Sequence, residues 1–302
     1  MKPRSNLSLW AFGLLAACGL LSACQQPGEA LTDRKRRENE AEIEQYIKQN
    51  NLSATKTDEG IYFVQTKSIP TAQAPVLGDE VRYHFIARRL DGTIVDSTDI
   101  AGNNPATVVL AGAQTTGITL GKYAGILKLR AGEEGSVLVP AQLDGGRIGS
   151  LLLPQYSPVR YDLRIVSVRN EKQQIDDYIR TNKLTVTTLT SDSIRVIKTL
   201  VQPSDSVAIT AGKNVTLNYS GRRASNGVLF DAGTGFNLTI GEKRTVPGFE
   251  NGLTSLRAGE KAILIFPSSL GYGVSGNPSQ DPVKNILPYT PLVFEIEVTK
   301  VQ

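Results

Sequence analysis

A chain of 302 residues exceeds what one compact domain ordinarily holds and suits two, and an apolar share of 40% places it among globular rather than disordered proteins. Lys and Arg outnumber Asp and Glu by 33 to 29, and two of the cations, Lys2 and Arg4, fall in a leader, which leaves 31 to 29; the basic balance therefore gives no argument for nucleic acid. With a lone histidine and no cysteine after Cys24, a disulfide scaffold is excluded and metal, thiol and Ser-His chemistries are disfavoured.

The N-terminus reads as a secretory signal over residues 1–23: basic Lys2 and Arg4, then an apolar run from Leu7 to Leu21 too short for a membrane span. Leu21-Ser22-Ala23-Cys24 resembles the lipobox of bacterial lipoproteins, which implies cleavage before Cys24 and acylation of its thiol. Leu15-Ala16-Ala17-Cys18 fits the same pattern, but cleavage there leaves Gly19-Leu20-Leu21 at the start of the tether; an ordinary signal with two incidental cysteines is the third reading. Gln25 and Gln26 lack the Asp associated with inner-membrane retention, so the expected location is the bacterial envelope, at the outer membrane and facing the periplasm. Residues 24–51 are expected to form a tether and a helix, with Arg34-Lys35-Arg36-Arg37 as its solvated start or as a contact for anionic headgroups.

The segment from Glu42 to Leu52 has an echo 132 positions on, with Ile43, Tyr46, Ile47 and Leu52 answered by Ile175, Tyr178, Ile179 and Leu184. A tandem duplication follows, each unit a short amphipathic helix with an Asn-rich end and then a β-rich domain. The units are placed at 52–169 and 192–302, with residues 170–191 as linker helix and start of the second. Ile61–Val64 and Ile194–Ile197 read as the first strands. In the second unit, period-two alternation marks Val215, Leu217 and Tyr219; Phe236, Leu238 and Ile240; Ala262, Leu264 and Phe266; and Leu292, Phe294, Ile296 and Val298 as inward faces of antiparallel strands. Phe249, Leu253 and Leu256, between Pro247 and Gly259, predict one short helix against that sheet. The fold class is α+β: two tandem domains, each a twisted antiparallel sheet wrapped on a short helix, with a further helix preceding each.

His84 lies in the strand-like run from Val81 to Phe85 and is expected to be solvated beside Arg82. No carboxylate pair stands at ligand spacing, and Gly271-Tyr272-Gly273 lacks the Lys-Ser/Thr of a phosphate loop, so no metal or cofactor is expected.

Six motifs in order over about ninety residues, Val215–Gly221, Asn226–Asp231, Phe236–Gly241, Val246–Gly252, Leu270–Gly273 and Pro288–Phe294, resemble the FKBP-type peptidyl-prolyl cis/trans isomerases. The resemblance implies that Tyr219, Phe230, Phe236, Phe249, Ile286 and Phe294 enclose a substrate proline and that Val246 lines the rim. It also implies that Asp231 and Tyr272 face the carbonyls beside the rotating bond. The implied partners are proline-containing clients and, through the lipid anchor, a membrane. Phe249 stands where the family usually has tryptophan, which implies reduced affinity for macrolide inhibitors. The segment from Tyr272 to Ile286 is longer than in compact members and contains Pro278 and Pro282, leaving its course over the pocket open.

The first unit resembles the same family at Gly78–Phe85, Leu90–Ser97 and Leu129–Glu133, the last matching Leu256–Glu260. Its pocket positions differ: Phe85 for the tyrosine, Val95 before Asp96, Lys122 at the floor, and no tyrosine around Asp144-Gly145-Gly146. Burying a lysine at the bottom of an apolar pocket is costly, so the unit is expected to lack isomerase activity and to serve as spacer, peptide platform or docking surface. The functional expectation is a folding catalyst for exported X-Pro bonds; the alternatives are a non-catalytic FKBP-like scaffold or a purely structural lipoprotein.

Overall fold

Alternation of apolar and polar residues over short runs makes strands, and in this chain those strands assemble twice in one order. The computed structural model describes residues 30–112, 117–144 and 149–302; Cys18, Cys24 and the rest of the leader, with Gly145 and Gly146, lie outside them. The first sheet comprises β1 (Thr55–Lys56), β2 (Tyr62–Lys67), β3 (Glu80–Arg89), β4 (Ile94–Ser97), β5 (Ala106–Val109), β6 (Glu134–Val139) and β7 (Val159–Arg169). Their spatial order is β1-β2-β6-β7-β3-β4, with β5 also on β3. The second comprises β8 (Thr188–Leu189), β9 (Arg195–Leu200), β10 (Asn214–Arg223), β11 (Leu229–Thr239), β12 (Lys261–Phe266) and β13 (Leu292–Val301), ordered β11-β10-β13-β12-β9-β8. All pairings are antiparallel, and the long β11 takes the place shared by β4 and β5.

Each sheet is covered on both faces. Inside lie α2 (Leu120–Leu127) and α4 (Pro247–Leu253); outside lie α1 (Leu31–Gln49) and α3 (Glu171–Thr181). Ile43 of α1 packs on Tyr62, Val64 and Leu138, and Ile175 of α3 on Ile197, Ile265 and Val293. A capping box starts α3: the Asn170 side chain accepts from the Gln173 N–H, and the Gln173 side chain accepts from the Asn170 N–H. Both outer helices stop at asparagine, Asn50 and Asn182, and the next residues, Asn51 and Lys183, take left-handed backbone at φ 49° and 53°.

The matched motifs at Leu129–Glu133 and Leu256–Glu260 are turns tied by buried carboxylates. Glu133 accepts from the backbone N–H groups of Ile69 and Arg130, and Glu260 from that of Arg257 and from the Lys198 ammonium at 2.8 Å. Burial alone raises the Glu260 carboxyl, but Lys198 and the backbone donors hold it below its ordinary value.

Two sequence expectations are corrected. His84 is not solvated but 1% exposed: residues 98–104, closed by a bridge between Asp99 and Asn104, fold over the strand face opposite Tyr83 and Phe85. Its ring nitrogens meet Thr98 Oγ1 at 3.0 Å and Asn103 Oδ1 at 3.3 Å. The helix at Phe249 ends at Leu253 rather than near Gly259, because the backbone of 256–258 pairs with 207–209 instead. The Ile209 N–H donates to Leu256 O, and the Ala258 N–H to Val207 O.

The two sheets are joined with almost no slack. β7 runs into α3 through Asn170 alone, and Arg169 at that corner binds Glu80 of β3 and, at 3.0 Å, Asp177 of α3.

Candidate functional site

The face of the second sheet that packs on α4 gathers aromatic rings around Phe294 of β13. Phe294 meets Phe249 at 4.9 Å between centroids, Phe230 at 5.7 Å, Phe266 at 5.8 Å and Tyr219 at 6.2 Å. Tyr219 in turn meets Phe236 at 5.5 Å and Phe249 at 5.7 Å, both edge to face, the arrangement that ring quadrupoles favour. Phe230, Phe249, Ile286 and Phe294 are buried, while Tyr219, Phe236, Val246 and Tyr272 are half-buried against the same cluster. The set is an apolar floor with a rim partly open to water.

Local sequence makes this packing possible. Pro247 opens α4 at its first turn, where its missing N–H costs nothing. Gly248 lets the helix approach β12 so closely that a Cβ there would stand 2.4 Å from the Phe266 ring, and this approach seats Phe249 on the floor. On β10, Gly221 leaves the gap in which Phe294 and Phe230 meet; a Cβ would stand 2.7 Å from the former.

The polar groups lie at the rim. Asp231 is exposed and accepts a hydrogen bond from the Tyr219 hydroxyl at 2.9 Å. Burial first, then that bond and the Asp231 charge, push the Tyr219 hydroxyl up to about 12. Burial, and secondarily Asp231, also raise Tyr272, so its hydroxyl stays a proton donor at neutral pH. Tyr272 follows a 3₁₀ turn, Ser268–Leu270, in which the N–H groups of Gly271 and Gly273 both donate to Ser268 O at 2.8 Å.

The long segment beyond Tyr272 is a closed loop. Asn277 and Ile286 exchange backbone hydrogen bonds of 2.8 and 3.0 Å, and the Tyr289 N–H donates to Gly273 O. Pro278 and Pro282 sit exposed in its outer part, while Ile286 reaches the floor.

Thus eight of the expected site residues share one cluster, and Asp231 joins them through Tyr219. Phe266, stacked at 10° on Phe294, and Gly221 also shape the site without having been singled out in the sequence. Phe266 carried a signal, its inward strand position; Gly221 closes the first of the six motifs, but nothing local marks the gap it leaves. Among the described residues no group of three or more His, Cys, Asp or Glu side chains gathers to hold a metal.

The corresponding place in the first domain is occupied differently. Lys122 of α2 lays its ammonium 3.9 Å from the Phe85 ring centre and 4.9 Å from that of Tyr161, where the second domain has Phe249 between Tyr219 and Phe294. Burial lowers the Lys122 ammonium, opposed by the charges of Asp144 and Asp96. The Asp144 carboxylate accepts from Tyr161 and Thr119, each at 2.6 Å. The cost expected for a lysine here is therefore opposed by two ring faces and two carboxylates, though burial still prevails.

Residues 206–299 match the family described as FKBP-type peptidyl-prolyl cis-trans isomerase. That segment is a domain of this family. It is 27% identical over 225 residues to the peptidyl-prolyl cis-trans isomerase FKBP9 of Mus musculus, an alignment covering 73% of this chain and 34% of the relative. Against FKBP53 of Arabidopsis thaliana it is 35% identical over 94 residues, 30% of this chain and 19% of the relative. The chain thus spans about a third or less of the length of these curated relatives. The crystal structure of the three FKBP domains of wheat FKBP73 covers 83% of this chain and 99% of its own, at 19% identity and a TM-score of 0.39.

Proposed function

We propose that the chain catalyses cis/trans isomerisation of X-Pro bonds in exported polypeptides, at the basin of its second domain. The observation that carries this reading is the convergence of the Phe294-centred rings with Tyr272 and Asp231 at their rim. Rotation about X-Pro needs no nucleophile. The barrier, about 18–20 kcal/mol, is amide resonance, and unaided rotation takes tens of seconds or more. A planar amide is strongly polarised and well hydrated, whereas the twisted one has lost resonance. Seating the pyrrolidine ring on Phe249, Ile286 and Phe294 strips water from the ground state and favours the twisted form. Tyr272 supplies a hydroxyl donor to a substrate carbonyl, and Asp231, braced by Tyr219, fixes the field on the other side.

The lipobox-like Leu21-Ser22-Ala23-Cys24 supports the further proposal that Cys24 tethers the protein to the bacterial envelope, at the outer membrane and facing the periplasm. Acyl-chain mass spectrometry with membrane fractionation tests it. The ammonium of Lys122 on Phe85 and Tyr161 supports a first domain without isomerase activity. Phe249 in place of tryptophan supports weakened macrolide binding.

A protease-coupled assay of the full chain on an X-Pro peptide decides the main reading. Acceleration is expected, and Tyr272→Phe with Asp231→Ala should lower kcat/KM by roughly ten-fold or more without loss of fold. Peptide binding by the folded chain with no acceleration would instead establish a scaffold.

A further inference from the structure

The turn that carries Tyr272 is gripped from outside the family-matched segment. Glu171, first residue of α3, accepts from the Ser268 backbone N–H at 2.6 Å and from the Ser268 hydroxyl at 2.7 Å. Ser268 is in turn the residue whose carbonyl takes the N–H groups of Gly271 and Gly273, the two neighbours of Tyr272. One carboxylate therefore fixes both ends of Ser268, and Ser268 fixes the backbone on either side of the tyrosine.

The same device occurs in the first domain. Asn39, 132 positions before Glu171 just as Ile43 precedes Ile175, sits on α1 at 3% exposure. Its Oδ1 accepts from the Ala141 N–H at 2.9 Å, and its Nδ2 donates to Tyr156 O at 2.8 Å. Ala141 begins the 3₁₀ turn that follows Pro140, as Ser268 begins the one that follows Pro267. Both copies thus hold this turn from the preceding helix. In the copy whose turn lacks a tyrosine the holder is an amide on one backbone N–H; in the copy with Tyr272 it is a charged carboxylate on two donors of one residue. Charge-assisted hydrogen bonds are roughly twice as strong as neutral ones.

We propose that Glu171 is a positioning residue of the isomerase site, acting through Ser268 to hold the Tyr272 hydroxyl in place, so that the working unit begins at α3 rather than at residue 206. The proposal rests on the isomerase reading of the basin. Because α3 also carries Asp177 to Arg169, and Arg169 binds Glu80, the chain of contacts from the first domain ends on the Tyr272 turn.

The test is a double-mutant cycle in the full chain with an X-Pro peptide. Glu171→Ala should lower kcat roughly ten-fold with little change in KM, since a displaced catalytic group costs turnover more than binding. Combined with Tyr272→Phe, it should cost nothing further, because both changes remove one contribution. Glu171→Gln, which keeps an acceptor for the Ser268 N–H, should recover part of the rate. Asn39→Ala, the counterpart in the first domain, should leave the rate unchanged. An equal rate loss from Glu171→Ala with Tyr272 present or absent, or an unchanged rate in Glu171→Ala, overturns the proposal. If the unaltered chain shows no acceleration, it is the isomerase reading that fails; a Ser268 amide proton shift unmoved by Glu171→Ala would then sink the clamp separately.

Discussion

Tyr219 and Tyr272 keep their protons because burial disfavours the phenolate and Asp231 stands near both. For Tyr219 the folded-state value of about 12 lies above the 10.0 of a free tyrosine. The sign follows: its contribution to stability is complete below pH 10 and is lost as pH rises toward 12. Isomerase rate and folded fraction are accordingly expected to stay level on the alkaline side up to pH 10, then fall together. Phenolate absorbance checks this; tyrosinate forming at either position below pH 9 would contradict it. Tyr219, Phe236, Phe266 and Phe294 were legible as inward positions of period-two strands and Phe249 as one of α4, whereas Phe230 came only with the family resemblance. Glu171 and Asn39 were not, since a polar residue on an amphipathic helix looks solvated until the turn it meets, about a hundred positions on, is placed beside it. The burial of His84 is hidden for the same kind of reason: alternation shows two faces, and a covering loop from 98–104 is invisible to it.

At the level of elements, β9 decides how much chain the FKBP domain needs. It lies inside the sheet between β12 and β8, and Ile194 and Val196 belong to the core beneath the basin. A fragment of residues 203–302 lacks this strand and exposes the β12 edge, whereas 170–302 keeps both β9 and α3. The shorter fragment is expected to be unfolded or aggregated and the longer one to show dispersed amide resonances; a well-dispersed spectrum from 203–302 would refute this. Duplication of the outer helices and the inward strand faces could be read from spacing alone. The end of α4 could not, because the pairing of 256–258 with 207–209 competes with helix continuation across a separation that local periodicity does not sense.

For the whole molecule, the corner at Arg169 ties the two domains to one another. Its guanidinium joins β3, β7 and α3, and Glu80 beneath it is 4% exposed. Arg169→Ala leaves that carboxylate buried without its partner, an effect of about 3 kcal/mol or more. Calorimetry should then resolve two thermal transitions where the intact corner gives one; a single unchanged transition would show that the domains are coupled elsewhere. Gln173 on Gln73 at 3.0 Å adds a second, weaker tie between α3 and the first domain.

The order of strands has a consequence for synthesis. β13 is the last strand of its sheet in the chain yet sits between β10 and β12, and β7 holds the matching place between β3 and β6. As the polypeptide emerges, each sheet therefore waits in two unjoined halves, with inner edges open, until its final strand slots between them. A polypeptide released but ending before Leu292 would hold the FKBP domain as two separate sheet halves, with Phe294 missing from its centre.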